Sequence, residues 1–168
     1  SWILPRGPSL PEQEKAKEEL EKAKAELERI LRQLREEEVE RMLALLEGRF
    51  RKMLEMQLRI YENTMRLDKS NDELRRQKES GELAIDERKL VIDADKALNL
   101  LLEEGSSIAF PETVSQMRDD MQQVSDRLDS AKVGMITQGI EEDIIASLEE
   151  MIEALQKAQQ DLEEQQQQ

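Results

Sequence analysis

Residues 39–67, VERMLALLEGRFRKMLEMQLRIYENTMRL, decide how the rest of the chain is read. Val39, Leu43, Leu46, Phe50, Met53, Gln57, Ile60, Thr64 and Leu67 follow one another at spacings of three and four, the seam of an α-helix that packs along one edge. A second stripe, Leu54, Leu58, Tyr61 and Met65, runs beside the first. One stripe suits a two-stranded contact, whereas two adjacent stripes require neighbours on more than one side. This stretch therefore reads as one helix of a bundle.

Upstream the same helix carries a single narrow seam. Ala16, Leu20, Ala23, Leu27, Ile30 and Leu34 alternate in spacings of four and three, and the register changes after Glu36-Glu37-Glu38. No proline interrupts residues 12–78, and Gly48 is the lone glycine there. Glu18 with Lys22, Glu28 with Arg32, Glu37 with Arg41, Glu47 with Arg51, Glu55 with Arg59 and Glu62 with Arg66 each set an acid four residues before a base. Such pairs stabilise a solvated helix face by about 0.2–0.5 kcal/mol apiece. Residues 12–43 are thus expected to form a coiled-coil stalk. An a/d seam left in water is unfavourable by roughly 25 cal/mol per Å² of apolar area. Nothing later in the chain offers a matching length, so Leu20, Leu27, Ile30 and Leu34 are the expected self-association residues. The expected partner is a second copy of the chain, in a homo-oligomer with a dimer favoured.

The lead before the helix, residues 1–11 (SWILPRGPSLP), holds three of the four prolines and reads as flexible. Ser9 and Glu12 have the spacing of a capping box, which starts the helix there. Downstream, residues 68–73 (DKSNDE) are the first strong perturbation, where Ser70 and Glu73 repeat that spacing and a kink or restart of the helix is one expectation; Ser80-Gly81 is the second weak point and the expected first reversal. From Glu82 a second helix carries Leu83, Leu90, Val91, Ala94, Leu98 and Leu101, with Gly105 as its expected left-handed cap. Pro111 suits the first turn of a third helix, whose seam is Val114, Met117, Met121, Val124, Leu128 and Ala131. Residues 133–139 (VGMITQG) form the next expected turn, with Thr137 as cap. A fourth helix then carries Ile140, Ile144, Leu148, Met151, Leu155, Ala158 and Leu162, widened by Ile145 and Ile152. The expected fold is all-α: a long N-terminal coiled-coil helix running into an antiparallel bundle over residues 44–164, with a polar tail at 165–168. The later helices are expected at roughly 20–25 residues each, or about 30–38 Å.

Composition narrows function mainly by exclusion. Neither cysteine nor histidine occurs in the 168 residues. Disulfides, thiolate ligands and cysteine nucleophiles are therefore ruled out, together with the commonest general base and transition-metal ligand. Charge is uneven: residues 1–80 hold 18 basic and 18 acidic side chains, and residues 81–168 hold 7 and 21, so the whole net charge of −14 lies in the second half. That half repels phosphate backbones and anionic membrane surfaces, and nucleic acid is not an expected partner. The basic excess at Arg49, Arg51, Lys52, Arg59, Arg66, Arg75 and Arg76 would sit beside the acidic helices. No apolar run approaches the ~20 residues needed to span a bilayer. Beginning at serine, the chain reads as a processed product or a piece of a longer one, and membrane association would need a segment upstream.

Chemistry is sought and mostly not found, and a catalytic residue or cofactor is not expected. Gly134 and Gly139 have the spacing of a phosphate loop, but Ile140-Glu141 stands where Lys and Ser/Thr are required. Two acidic clusters, Glu141-Glu142-Asp143 and Asp93 with Asp95, could collect oxygen-loving cations, which makes a carboxylate metal-binding protein an alternative. They also lack the frame of a calcium-binding loop, and first-turn acids equally serve the helix dipole. The eight methionines stand mostly at core spacing. Residues 106–112 (SSIAFPE) form a Phe-Pro loop between acidic helices; as a docking tip it would present Ile108, Phe110 and Pro111 to a partner.

From Lys89 to Glu164 the pattern KLVIDADKALNLLLEEGSSIAFPETVSQMRDDM, followed by TQGIEEDIIASLEEMIEALQKAQQDLEE, resembles a group of helical cell-envelope proteins of planctomycete-type bacteria. Some of these are encoded near proton-channel transport components. The resemblance implies the cell envelope or periplasm as location and an envelope protein as partner. Under it, the protein would be an accessory subunit docking on a transport complex through residues 106–112. The residues themselves favour a non-enzymatic scaffold or tether that self-associates through its N-terminal coiled coil.

Overall fold

The computed structural model describes residues 5–104 and 110–167. Among them are four α-helices: α1 (Leu10–Asp68), α2 (Glu73–Glu104), α3 (Pro111–Asp129) and α4 (Met135–Gln166). The chain divides into two compact units, Ser1–Met42 and Leu43–Gln168, and α1 contributes to both.

The first unit is the opening part of α1. Its start is the capping box expected at Ser9: the Ser9 amide donates to Glu12 Oε2 at 3.1 Å and the Glu12 amide to Ser9 Oγ at 3.4 Å. Two of the four orphan amides of the helix end are satisfied this way.

In the second unit the later part of α1 packs antiparallel against α2 and α4. Polar bridges fix the pairing. Gln57 meets Glu87 of α2, while Glu47, Tyr61 and Asp68 meet Gln159, Glu142 and Gln138 of α4. Between α2 and α3, Ser125 Oγ donates to the Ala84 carbonyl at 3.0 Å, and Arg118 Nε reaches Asp95 at 3.0 Å. The core is built from the stripes the sequence displays. Leu43, Leu46, Phe50, Met53, Ile60 and Leu67 of α1 are buried with Leu83, Leu90, Ala94 and Leu101 of α2. Val114, Met117, Met121 and Leu128 of α3 join Ile144, Leu148, Met151 and Leu155 of α4.

Three expectations are corrected. The first reversal is at residues 69–72, not at Ser80-Gly81, and α2 begins at Glu73 rather than Glu82. Asp72 provides the cap, its Oδ1 accepting the Arg75 amide at 3.1 Å. Ser70 Oγ serves the Asp72 amide at 3.2 Å instead of forming a box with Glu73. The Arg76 guanidinium closes the turn by donating to the carbonyls of Leu67, in the last turn of α1, and Ser70, just beyond its end. Ser80 does not break the helix because its hydroxyl is spent on the Gln77 carbonyl three residues back. Thr137, secondly, is not the cap of α4; Gly134 occupies that position. Thr137 lies in the first turn, accepting from Arg127 Nε at 2.8 Å and donating to the Lys132 carbonyl at 2.6 Å. Thirdly, α2 and α4 are 32 residues each and α3 is 19, so the helices are more unequal than expected. The expected cap at Gly105 lies outside the described residues.

The α3–α4 turn shows how a helix stops without glycine. The Ala131 amide donates to the Leu128 carbonyl and the Lys132 amide to the Arg127 carbonyl, the paired bonds of a Schellman motif. That geometry requires a left-handed residue, and Ala131 takes it with φ 56°. At the start of α3, Pro111 stands at the first helical position, where its missing N–H goes unneeded.

Candidate functional site

The strongest feature of the first unit is its uncovered seam. Leu20, Leu27, Ile30 and Leu34 are 58, 56, 41 and 49% exposed, and Leu31 beside them is 50% exposed. They share one edge of an unbroken helix because alternate spacings of three and four return to the same side. Ala16 and Ala23, the other seam positions, are exposed as well. Arg29 and Glu26 form an ion pair on this helix at 2.7 Å, and that bond holds the Arg29 pKa above its ordinary value.

The proposed docking tip is only partly described. Phe110 and Pro111 are half-buried, Phe110 at the N-cap position of α3 without a side-chain cap. Ile108 lies outside the described residues.

The two acidic clusters are dispersed by the fold. Glu141 is fully buried, Glu142 accepts a short hydrogen bond from Tyr61, and Asp143 is exposed. Asp95 is engaged by Arg118 while Asp93 faces solvent. Among the described residues no three carboxylates gather where one cation could bind.

A buried polar layer went unforeseen in the sequence. Gln57, Thr64, Glu87 and Glu141 are all 0% exposed. Gln57 Nε2 donates to Glu87 Oε1 at 2.8 Å, and Thr64 Oγ1 donates to Glu141 Oε2 at 3.1 Å and to the Ile60 carbonyl at 2.9 Å. Gln57 Oε1, Glu87 Oε2 and Glu141 Oε1 have no protein partner. Burial pushes both carboxyls up to about 8. The Gln57 bond opposes that rise at Glu87 and the Thr64 bond at Glu141; the charges of Glu141 and Asp86 add to it at Glu87, and that of Glu142 at Glu141. Both acids are therefore shifted towards the neutral form, as expected where desolvation dominates. A signal did exist: Glu87 falls four residues after Leu83 and three before Leu90. Glu141 likewise precedes Ile144 by three. Both stand on the apolar seams of their own helices.

Exposed apolar side chains also mark the end of the bundle where Gln138 meets Asp68. Leu74, in the first turn of α2, is 80% exposed, and Met135 and Ile136, at the start of α4, are 87 and 65% exposed. Met135 is thus an exception to the core role of the methionines, which Met53, Met117, Met121 and Met151 fill. An open groove in the same unit is lined by Arg49, Lys52, Asp93 and Lys96. Nearer the α1–α2 turn, Arg66 of α1 reaches Glu79 of α2 at 3.9 Å.

These features define an all-α protein, a helical bundle entered by a long N-terminal helix. Among the described residues no helix is long and apolar enough to cross a membrane. In comparisons with family models, curated proteins and solved structures, nothing matches this chain.

Proposed function

We propose that this protein is a non-enzymatic helical scaffold or tether, which self-associates by pairing the first part of α1 with the same segment of a second copy. The observation that carries the reading is the row Leu20, Leu27, Ile30 and Leu34, each at least 41% exposed on a continuous helix. Isolated surface leucines are ordinary, but a row in heptad spacing is the form in which helices recognise helices. Pairing would remove that row from water at about 25 cal/mol per Å² of apolar area. Pairing through the first unit would leave the four-helix unit's own surface for a second contact, which suits spacing or tethering. The resemblance of residues 89–164 to envelope proteins is the support for placing that role in a bacterial envelope.

Light scattering tests the reading directly. The full chain at micromolar concentration is expected to run as an assembly that dissociates on dilution. A variant with Leu20, Leu27, Ile30 and Leu34 all changed to Gln is expected to be monomeric and to keep the melting transition of the bundle. A monomeric wild-type chain at high concentration overturns the proposal.

A further inference from the structure

We infer that the second copy lies parallel to the first and in register with it, an orientation written in the charges that flank the seam. The inference rests on the reading that this seam pairs with another copy of the chain.

In a heptad a step of three runs from a to d and a step of four from d to a. The observed spacings make Leu20, Leu27 and Leu34 a positions and Ala16, Ala23 and Ile30 d positions. Lys17 and Lys24 then fall at e, and Glu12, Glu19 and Glu26 at g. All five are exposed on α1. In a parallel in-register pair each g residue faces the e residue five positions later on the other helix. Glu19 then meets the second copy's Lys24 and Glu12 meets its Lys17, twice over by symmetry. In an antiparallel pair g faces g and e faces e, so glutamates would confront glutamates and lysines would confront lysines. Like charges opposed across an interface select against that arrangement.

Two details of the single chain agree. Glu26 would face Leu31 of the second copy, which offers it no charge, and Glu26 is the g residue that pairs within its own helix, with Arg29 at 2.7 Å. Among the described residues Lys17, Glu19 and Lys24 form no ion pair within the chain. Glu12 is partly committed to its capping bond, so Glu19 with Lys24 is the discriminating pair.

Charge exchange and thiol pairing test the orientation. E19K alone and K24E alone each set like charges against each other in the parallel pair, and each is expected to weaken self-association about tenfold. An equimolar mixture of the two restores both attractions and should form a heterodimer of wild-type affinity. Because the chain has no cysteine, A16C at d and L34C at a report geometry without a background. Mixed in a glutathione buffer, they should give the disulfides A16C–A16C and L34C–L34C, because d faces d and a faces a in a parallel pair. Mainly the mixed A16C–L34C disulfide, the a-to-d contact of an antiparallel pair, or no disulfide at all, overturns the parallel register and leaves self-pairing standing. Failure of the E19K and K24E mixture to recover affinity overturns it too. A wild-type monomer by light scattering removes the pairing itself.

Discussion

The two parts of α1 carry opposite combinations of composition and burial. From Ala16 to Leu34 every seam position is Ala, Leu or Ile, and the seam is exposed. From Leu43 to Leu67 the seam includes Gln57 and Thr64, and it is buried. The more apolar half is the uncovered one. Polarity is admitted to the buried half because α2 and α4 bring Glu87 and Glu141 against it, where they accept hydrogen bonds from Gln57 and Thr64. A wholly apolar seam needs only another apolar seam and can wait for a separate chain. A seam with polar side chains is tied to particular partners at particular levels, because an unmatched polar group in a core costs about 1–3 kcal/mol. That requirement aligns α2 and α4 on α1 and disfavours slipped packings.

The largest effect that would sharpen this contrast is at Phe50. Its side chain is fully buried, and Phe50→Ala should lower the unfolding free energy by about 3–5 kcal/mol. Leu27→Ala, in the first unit, should change the stability of the dissociated chain by less than about 0.5 kcal/mol. Its expected effect appears instead as weaker self-association. Urea unfolding at two protein concentrations measures both quantities. Equal losses for the two substitutions in the dilute chain would erase the distinction between the halves of the helix.

A second experiment varies pH. Between the ordinary carboxyl value of 4.5 and the value of about 8 that burial imposes on Glu87 and Glu141, the folded chain holds protons that the unfolded chain has released. Stability contributed by these protons is complete below 4.5, declines as pH rises towards about 8, and levels off beyond it. The slope is roughly 1.4 kcal/mol per pH unit for each retained proton. Glu87→Gln removes one such site and should flatten the decline, and adding Glu141→Gln should flatten it further. Chemical denaturation at pH 5, 6, 7 and 8 would give the slopes, about one pH unit apart. Unchanged slopes in the double variant would mean that the layer is not protonated.

How far the sequence reveals this fold depends on which interactions are local. Apolar periodicity placed the core of all four helices, and the Ser9 and Pro111 helix starts were legible because caps are set within a few residues. Reversals proved harder. Residues 68–73 and Ser80-Gly81 both read as places where the helix could break, and the choice between them depends on Arg76 reaching back to two carbonyls, which no local pattern announces. The buried acids were missed for a related reason. A glutamate on a seam reads as a break in the stripe until Gln57 or Thr64 is known to stand opposite, and that knowledge is tertiary. The exposed row from Leu20 to Leu34 was legible, since it depends only on spacing along one helix.

Glycine and alanine offer the finest adjustment, with opposite exchanges at two places in the bundle. Gly81 lies inside α2, and a Cβ there would meet nothing within 4 Å. Gly81→Ala should stabilise by about 0.5–1 kcal/mol, because glycine in a helix interior loses more backbone freedom on folding. Ala131 is the reverse case, an alanine in the left-handed position that ends α3. Left-handed backbone is disfavoured by about 1 kcal/mol for a residue with a Cβ, so Ala131→Gly should stabilise by a similar or slightly smaller amount once glycine's freedom in the unfolded chain is set against it. Thermal melts of both single variants and the double variant would check the two together. The expected gains add, since the sites belong to different turns and share no hydrogen bond. A loss of stability in Gly81→Ala would point to backbone at Ser80-Gly81 that is not helical, reopening that position as the reversal; a loss in Ala131→Gly would refute the left-handed cap.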